Sequence, residues 1–188
     1  MSVGNKIILN SDAGIRVGGV TGWVDPMTPT AVGAATVTGR LYDKKKMRKL
    51  TIETDGDGAT PTLVSVSSAE PYVDGEPIEL QLDDGSLHET TIVSRDTNTD
   101  IITLTAAVPA GRKAAAGTFA KRKLGPDISM VLYGGTPAAE QDTWGYRGPV
   151  TDVHEGLHLG AKVHCEVEID DGADRKRVVA FEAIVVEG

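Results

Sequence analysis

The sequence predicts an all-β protein in which one small β-module interrupts another. Three observations carry that expectation. Apolar residues recur at every second position in several short runs, the period of a strand with one buried face. Turn formers are frequent, with Gly 22 and Pro 9 in 188 residues, and they break the chain at short intervals. No run carries the 3.6-residue apolar period of a long amphipathic helix.

The outer pattern opens with residues 15–24, Ile-Arg-Val-Gly-Gly-Val-Thr-Gly-Trp-Val, which alternate loosely as a strand with a glycine bend. Asp25-Pro-Met-Thr-Pro29 is a turn, because two prolines this close exclude a helix or a central strand. Residues 35–43 then alternate strictly, with Ala35, Val37 and Leu41 on one face and Thr36, Thr38, Arg40 and Tyr42 on the other. Lys44–Lys49 reads as a charged hairpin tip or strand start, with Leu50–Glu53 as its partner. Asp55-Gly-Asp-Gly58 closes this part.

The interrupting module runs from Thr62 to Lys121. Thr62–Ser67 is a strand, and Ile78, Leu80 and Leu82 line one face of the next. Asp83-Asp-Gly-Ser86 is a strong hairpin turn. Leu87–Ser94 returns, Thr97-Asn-Thr-Asp100 turns, and Ile101–Thr105 and Thr118–Lys121 complete the set. Five short strands in about sixty residues fit a small SH3-like or OB-like barrel. The outer pattern resumes at Ile128–Tyr133, Trp144–Gly148 and a terminal pair. Val163, Cys165, Val167 and Ile169 share one face of that pair's first strand; Val179, Phe181, Ala183 and Val185 share one face of the second. The expected domains are therefore a discontinuous one, 1–60 with 124–188, and an insert, 61–123.

Composition narrows the function. Hydrophobic residues make up 40% and aromatics only 4%, so Val, Ile, Leu and Ala must build the core, and burial against partner subunits is expected. Lys+Arg 19 against Asp+Glu 27 gives a net charge of −8, which lacks the cations that non-specific binding to phosphate backbones requires. The lone Cys165 excludes an internal disulfide and fits a reducing cytoplasm. The first ten residues lack the apolar run of a signal peptide, and no stretch approaches the ~20 apolar residues of a transmembrane helix.

The candidate reactive groups dissolve one by one. His154-Glu155-Gly156-Leu157-His158 is a literal H-E-x-x-H. That zinc signature needs a helix, where residues i and i+4 share a face. Gly156 within it, Pro149 and Gly160 around it and a strand from Val163 argue against one, so Leu157 and Leu159 are expected to plug the end of a sandwich. Asp55-Gly-Asp-Gly58 begins like a calcium loop, but its twelfth position is Val66 and Pro61 intrudes. Gly14-Ile-Arg-Val-Gly-Gly19 lacks the spacing and the following helix of a dinucleotide site. Cys165 alternates with core valines, and Asp83-Asp84 and Asp170-Asp171 are turn residues. The expectation is a protein that is not an enzyme, with no catalytic, cofactor-binding or metal-ligating residue assigned.

Residues 16–43, with Gly19, Asp25-Pro26 and Ala35-Thr-Val-Thr-Gly-Arg-Leu-Tyr-Asp43, resemble the first half of immunoglobulin-like sandwich domains in tailed-bacteriophage virion proteins. Trp144-Gly-Tyr-Arg-Gly148, Gly156-Leu-His-Leu-Gly160 and Val163–Asp170 resemble the second half. Residues 73–105, with Val73-Asp-Gly-Glu-Pro-Ile-Glu-Leu80 and Leu82-Asp-Asp-Gly-Ser86, resemble small barrels of head–tail connector and tail proteins. The phage sandwich is usually uninterrupted, whereas here its halves flank the barrel. The resemblance implies a structural virion protein made in the bacterial host cytoplasm. The first choice is a neck component (adaptor, stopper or collar) that assembles as a homo-oligomeric ring between portal-side and tail-side proteins. The alternatives are a capsid decoration protein and a binding module on a tail fibre. Neither a specific nucleic acid nor a membrane is an expected partner. The expected contact elements are Lys44–Lys49, Asp83–Ser86 and the Ala-rich loop Ala106–Gly117.

Overall fold

A computed structural model describes residues 5–8, 11–18, 36–133, 145–151, 154, 157–170 and 176–187. The protein is all-β: among these residues there are fifteen strands and no helix. The chain divides into two compact units. Met1–Leu41 with Leu124–Gly188 forms the outer one, and Tyr42–Lys123 the nested one. Residues 42–60 thus belong to the nested unit, where the sequence reading had placed them in the outer domain. The reason is the length of a single strand.

That strand, β3 (Thr36–Lys49), follows β1 (Asn5–Ile8) and β2 (Ser11–Gly18). Its first part alternates as expected, with Val37, Gly39 and Leu41 buried. It does not turn at the lysines. Lys44–Lys49 is not a hairpin tip, and Leu50–Glu53 is not its partner. The run continues the strand and pairs antiparallel with β10 (Phe119–Lys123), through Phe119↔Lys49, Ala120↔Arg48 and Lys121↔Met47. A strand tolerates successive charges when the side chains reach solvent or a carboxylate, so charge density alone does not mark a turn.

In the outer unit, β1, β15 (Lys176–Val186), β14 (Lys162–Asp170) and the start of β3 lie side by side, and β11 (Ile128–Ser129) adds to β3. The strands β14 and β15 of the terminal pair lie antiparallel, Lys162↔Ile184 through Asp170↔Lys176. The strand β1 pairs parallel to β15. A second sheet holds β12 (Val131–Tyr133), β13 (Gly145–Val150) and β2. The segment 128–133 changes sheets at Met130, whose N–H donates to Val37 O at 2.9 Å. Ile7, Ile15, Val37, Leu41, Met130 and Val167 are among the residues of one core to which both sheets contribute. The Asp25–Pro29 turn and Trp144 lie outside the described residues.

The nested unit adds β4 (Thr54–Asp55), β5 (Leu63–Ser65), β6 (Pro77–Gln81), β7 (Leu87–Asp96), β8 (Ile101–Leu104) and β9 (Lys113–Ala114). Its strand order is β3-β10-β6-β7-β8-β5. The path then returns to its start. Leu50 bridges Val66, flanked by Thr51 N–H to Ser65 O at 2.9 Å and Ser67 N–H to Lys49 O at 2.8 Å. Val64, Val66, Ile78, Leu80, Ile92 and Ile102 are among the residues that fill its core. At the Asp83–Ser86 hairpin Gly85 has φ +83°, a conformation glycine adopts without strain.

Gly14 marks a close approach in the outer unit: a Cβ there would lie 2.6 Å from both Ile8 O and Val150 Cβ. Gly14→Ala is expected to cost about 1–3 kcal/mol by overpacking. Urea unfolding followed by circular dichroism would measure it, and an unchanged midpoint would contradict this packing.

Candidate functional site

Neither His154 nor His158 lies in a helix. His154 sits at a bend, 6% exposed, and His158 is exposed. The N–H groups of His154, Leu157 and Ala161 donate to the carbonyls of Thr151, His154 and His158 at 3.2, 3.4 and 2.9 Å. Each of these bonds spans three residues rather than the four of an α-helix. His154 Nδ1 stands 3.2 Å from Thr151 O and 3.3 Å from Thr151 N, and it donates to the first or accepts from the second according to its tautomer. Glu155 and Gly156 lie outside the described residues. Among the described residues no three His, Cys, Asp or Glu side chains could hold one ion. Leu157 packs on the outer core as expected, but Leu159 is 56% exposed and does not plug it. Cys165 is fully buried between valines, and burial pushes its thiol up to about 12.

The acidic turns tie loops together. Asp55 accepts the Asp57 N–H at 2.9 Å, Asp57 accepts the Gly111 N–H at 3.0 Å, and Gly56 N–H donates to Arg112 O at 2.9 Å. Asp83 exchanges backbone and side-chain bonds with Lys113, while Asp84 pairs with Arg112 at 3.1 Å. Two of the expected contact elements, 83–86 and 106–117, therefore spend polar groups on each other. Lys113 Nζ bridges Glu53 and Asp55 at 2.9 and 3.2 Å. Beside this clamp opens a groove of about 320 Å³, with Ile52, Thr54, Thr60, Leu63 and Ile101 along it.

These bonds shift proton affinities in known directions. The Asp57 N–H, then Lys113, hold Asp55 below the usual carboxylate range. The Ser86 hydroxyl and N–H do the same for Asp84, and the Thr99 hydroxyl and Asn98 N–H for Asp96. Glu53, then Asp55, hold Lys113 above the usual lysine value.

A buried polar trio lies on β3, β6 and β10. Tyr42 O–H donates to Glu79 Oε1 at 2.6 Å, and Lys121 Nζ approaches the same oxygen at 3.3 Å. Lys121 Nζ also stands 4.3 Å from the Tyr42 ring centroid. Glu79 is fully buried and Lys121 is 5% exposed. In this water-poor setting a cation over an aromatic face is worth about 2 kcal/mol or more. Sequence alternation did not reveal Glu79, which sits between the core residues Ile78 and Leu80 and so reads as an outward, solvated position.

The third expected contact element, Lys44–Lys49, keeps part of its charge unmatched. Lys46 pairs with Glu76 at 2.6 Å. Lys45 and Lys49 are exposed, and Lys49 Nζ lies 6.0 Å from the centroid of the Phe119 ring across the ladder. No aromatic interleaves this run in sequence; the β3–β10 pairing supplies one beside it.

No family model matches the chain, and neither a curated protein nor a solved structure does.

Removing one member of a buried ion pair strands the other. Lys121→Met is expected to cost about 3–5 kcal/mol, and adding Glu79→Leu should restore most of it. A urea double-mutant cycle decides this, and additive losses would contradict the pairing. Acid sensitivity also follows. Carboxylates with depressed folded-state values stabilise the fold above the ordinary 3.8 and lose that contribution as pH falls through the depressed values. An Asp84→Asn, Asp96→Asn variant should therefore lose less melting temperature than the parent between about pH 5 and pH 2. Parallel thermal scans test it.

Proposed function

We propose that this protein is a non-enzymatic structural component of a tailed-phage virion, working in the neck as a head–tail connector of adaptor, stopper or collar type. In this reading the outer unit is an immunoglobulin-like sandwich, and the nested unit a small closed barrel of the SH3 or OB kind. The observation that carries it is the nesting of one β unit within another. The chain leaves the outer unit at Leu41 and re-enters at Leu124, and the Leu124 N–H donates to Leu41 O at 2.8 Å. An insertion at adjacent points leaves the outer core continuous while it adds a second surface. A bridging protein needs two sets of contacts on firmly built units, and this build supplies them.

Several copies would interlock as a ring, with virion proteins of the portal side and of the tail side above and below. Residual sheet edges and the loop tips supply contact rows for such packing. Mass photometry and negative-stain electron microscopy of the purified protein test it directly. The expected result is a closed cyclic oligomer. A monomer at every concentration, or a monomer that decorates empty capsids, would refute the neck assignment.

A further inference from the structure

The cations of the nested unit are not evenly matched. Tyr42–Lys123 holds eleven Lys and Arg. Lys46, Arg112, Lys113, Lys121, Arg122 and Lys123 each stand within ion-pair distance of a carboxylate. For Arg122 Nε, 3.1 Å from Glu76 Oε2, this is an ion contact without the alignment of a hydrogen bond. Arg95 donates to the carbonyls of Ala69 and Glu70, and Lys44 is engaged as well. The three that remain, Lys45, Arg48 and Lys49, all lie on one strand. Arg48 gives one N–H to the Met47 carbonyl, while Lys45 and Lys49 are exposed.

Met47 and Lys49 lie two residues apart on β3 beside β10, and Lys45 lies in the adjoining stretch where the β3–β10 register shifts. Met47 is half-buried, and Phe119, 39% exposed, stands across the ladder from Lys49. A cationic strip with an apolar centre is thus left uncovered on a chain of net charge −8. The complementary charge lies in the chain's own outer unit, which has fourteen Asp and Glu against eight Lys and Arg.

We propose that the Lys45–Lys49 strip of one copy docks on the acidic outer unit of a second copy, joining copies head to tail. This deepens the ring reading above and rests on it. Two such strips repel each other, so a strip meets the acidic unit rather than the strip of the second copy, and the ring reading takes that contact as heterologous. A contact between unlike surfaces closes into a ring when its rotation allows, and otherwise runs on as a filament. The strip would supply steering and orientation, and Met47 and Phe119 the burial.

The test is native mass spectrometry and mass photometry of the full chain at low salt and at about 0.5 M NaCl, where exposed charges are strongly screened. The wild type should assemble at low salt. High salt, Lys45→Glu with Lys49→Glu, or the neutral Lys45→Gln with Lys49→Gln should each raise the half-assembly concentration roughly tenfold or more. Lys45→Arg with Lys49→Arg should assemble like the parent. Circular dichroism confirms folding, and either substituted pair suffices if the other fails to fold. Rings that survive both substituted pairs would overturn the docking surface and leave the ring reading standing. A wild type that stays monomeric would overturn both. A monomer that retards DNA only while the lysines are present would overturn the proposal in favour of nucleic acid as the occupant.

Discussion

Backbone hydrogen bonding sets the terms for this chain. With no helix among the described residues, each strand must find a neighbour on each side or leave a row of donors and acceptors exposed. The nested unit meets this by closure. The Leu50–Val66 bridge and the two bonds beside it connect the last strand of the path to the first. The outer unit meets it by a corner, where 128–133 leaves β3 for β13 with Met130 at the bend.

The same economy governs charge. Most carboxylates of the nested unit serve in turns or face a cation, as in the Asp55–Lys113–Glu53 and Asp84–Arg112 contacts. In the outer unit Arg40, with its side chain 12% exposed, reaches Asp127 at 3.2 Å and Glu168 at 3.1 Å, holding the segment before β11 against β14. Each exposed pair is worth little on its own. Their distribution matters more, because it makes the unmatched lysines of β3 a local feature with a charge of opposite sign to the chain as a whole.

What the sequence made legible was local. Val163, Cys165, Val167 and Ile169 alternate without interruption, and the structure buries all four. The Asp-Asp-Gly turn at residues 83–85 is a property of three residues and folds as one. What stayed hidden depends on distant partners. Lys44–Lys49 looks like a tip until Phe119–Lys123 arrives beside it. Asn5–Ile8 has no pattern of its own and becomes a strand because β15, at the other end of the chain, offers an edge. The interlocking of the 83–86 and 106–117 loops was not legible either, since nothing local connects Asp84 with Arg112.

The trio of Tyr42, Glu79 and Lys121 shows why a core of interchangeable aliphatic residues tolerates a buried ion pair. Val, Ile and Leu pack in many registers, and a one-residue slip of a strand turns its whole apolar face outward. The strands β3 and β10 already carry a register shift between Lys121 and Lys123, so alternation alone is a weak guide there. A slip of β10 against β6 would move Lys121 off Glu79 and leave a fully buried carboxylate without its cation, at a cost of several kcal/mol. Hydrophobic burial supplies the stability of the nested unit, and this polar contact restricts it to one strand pairing.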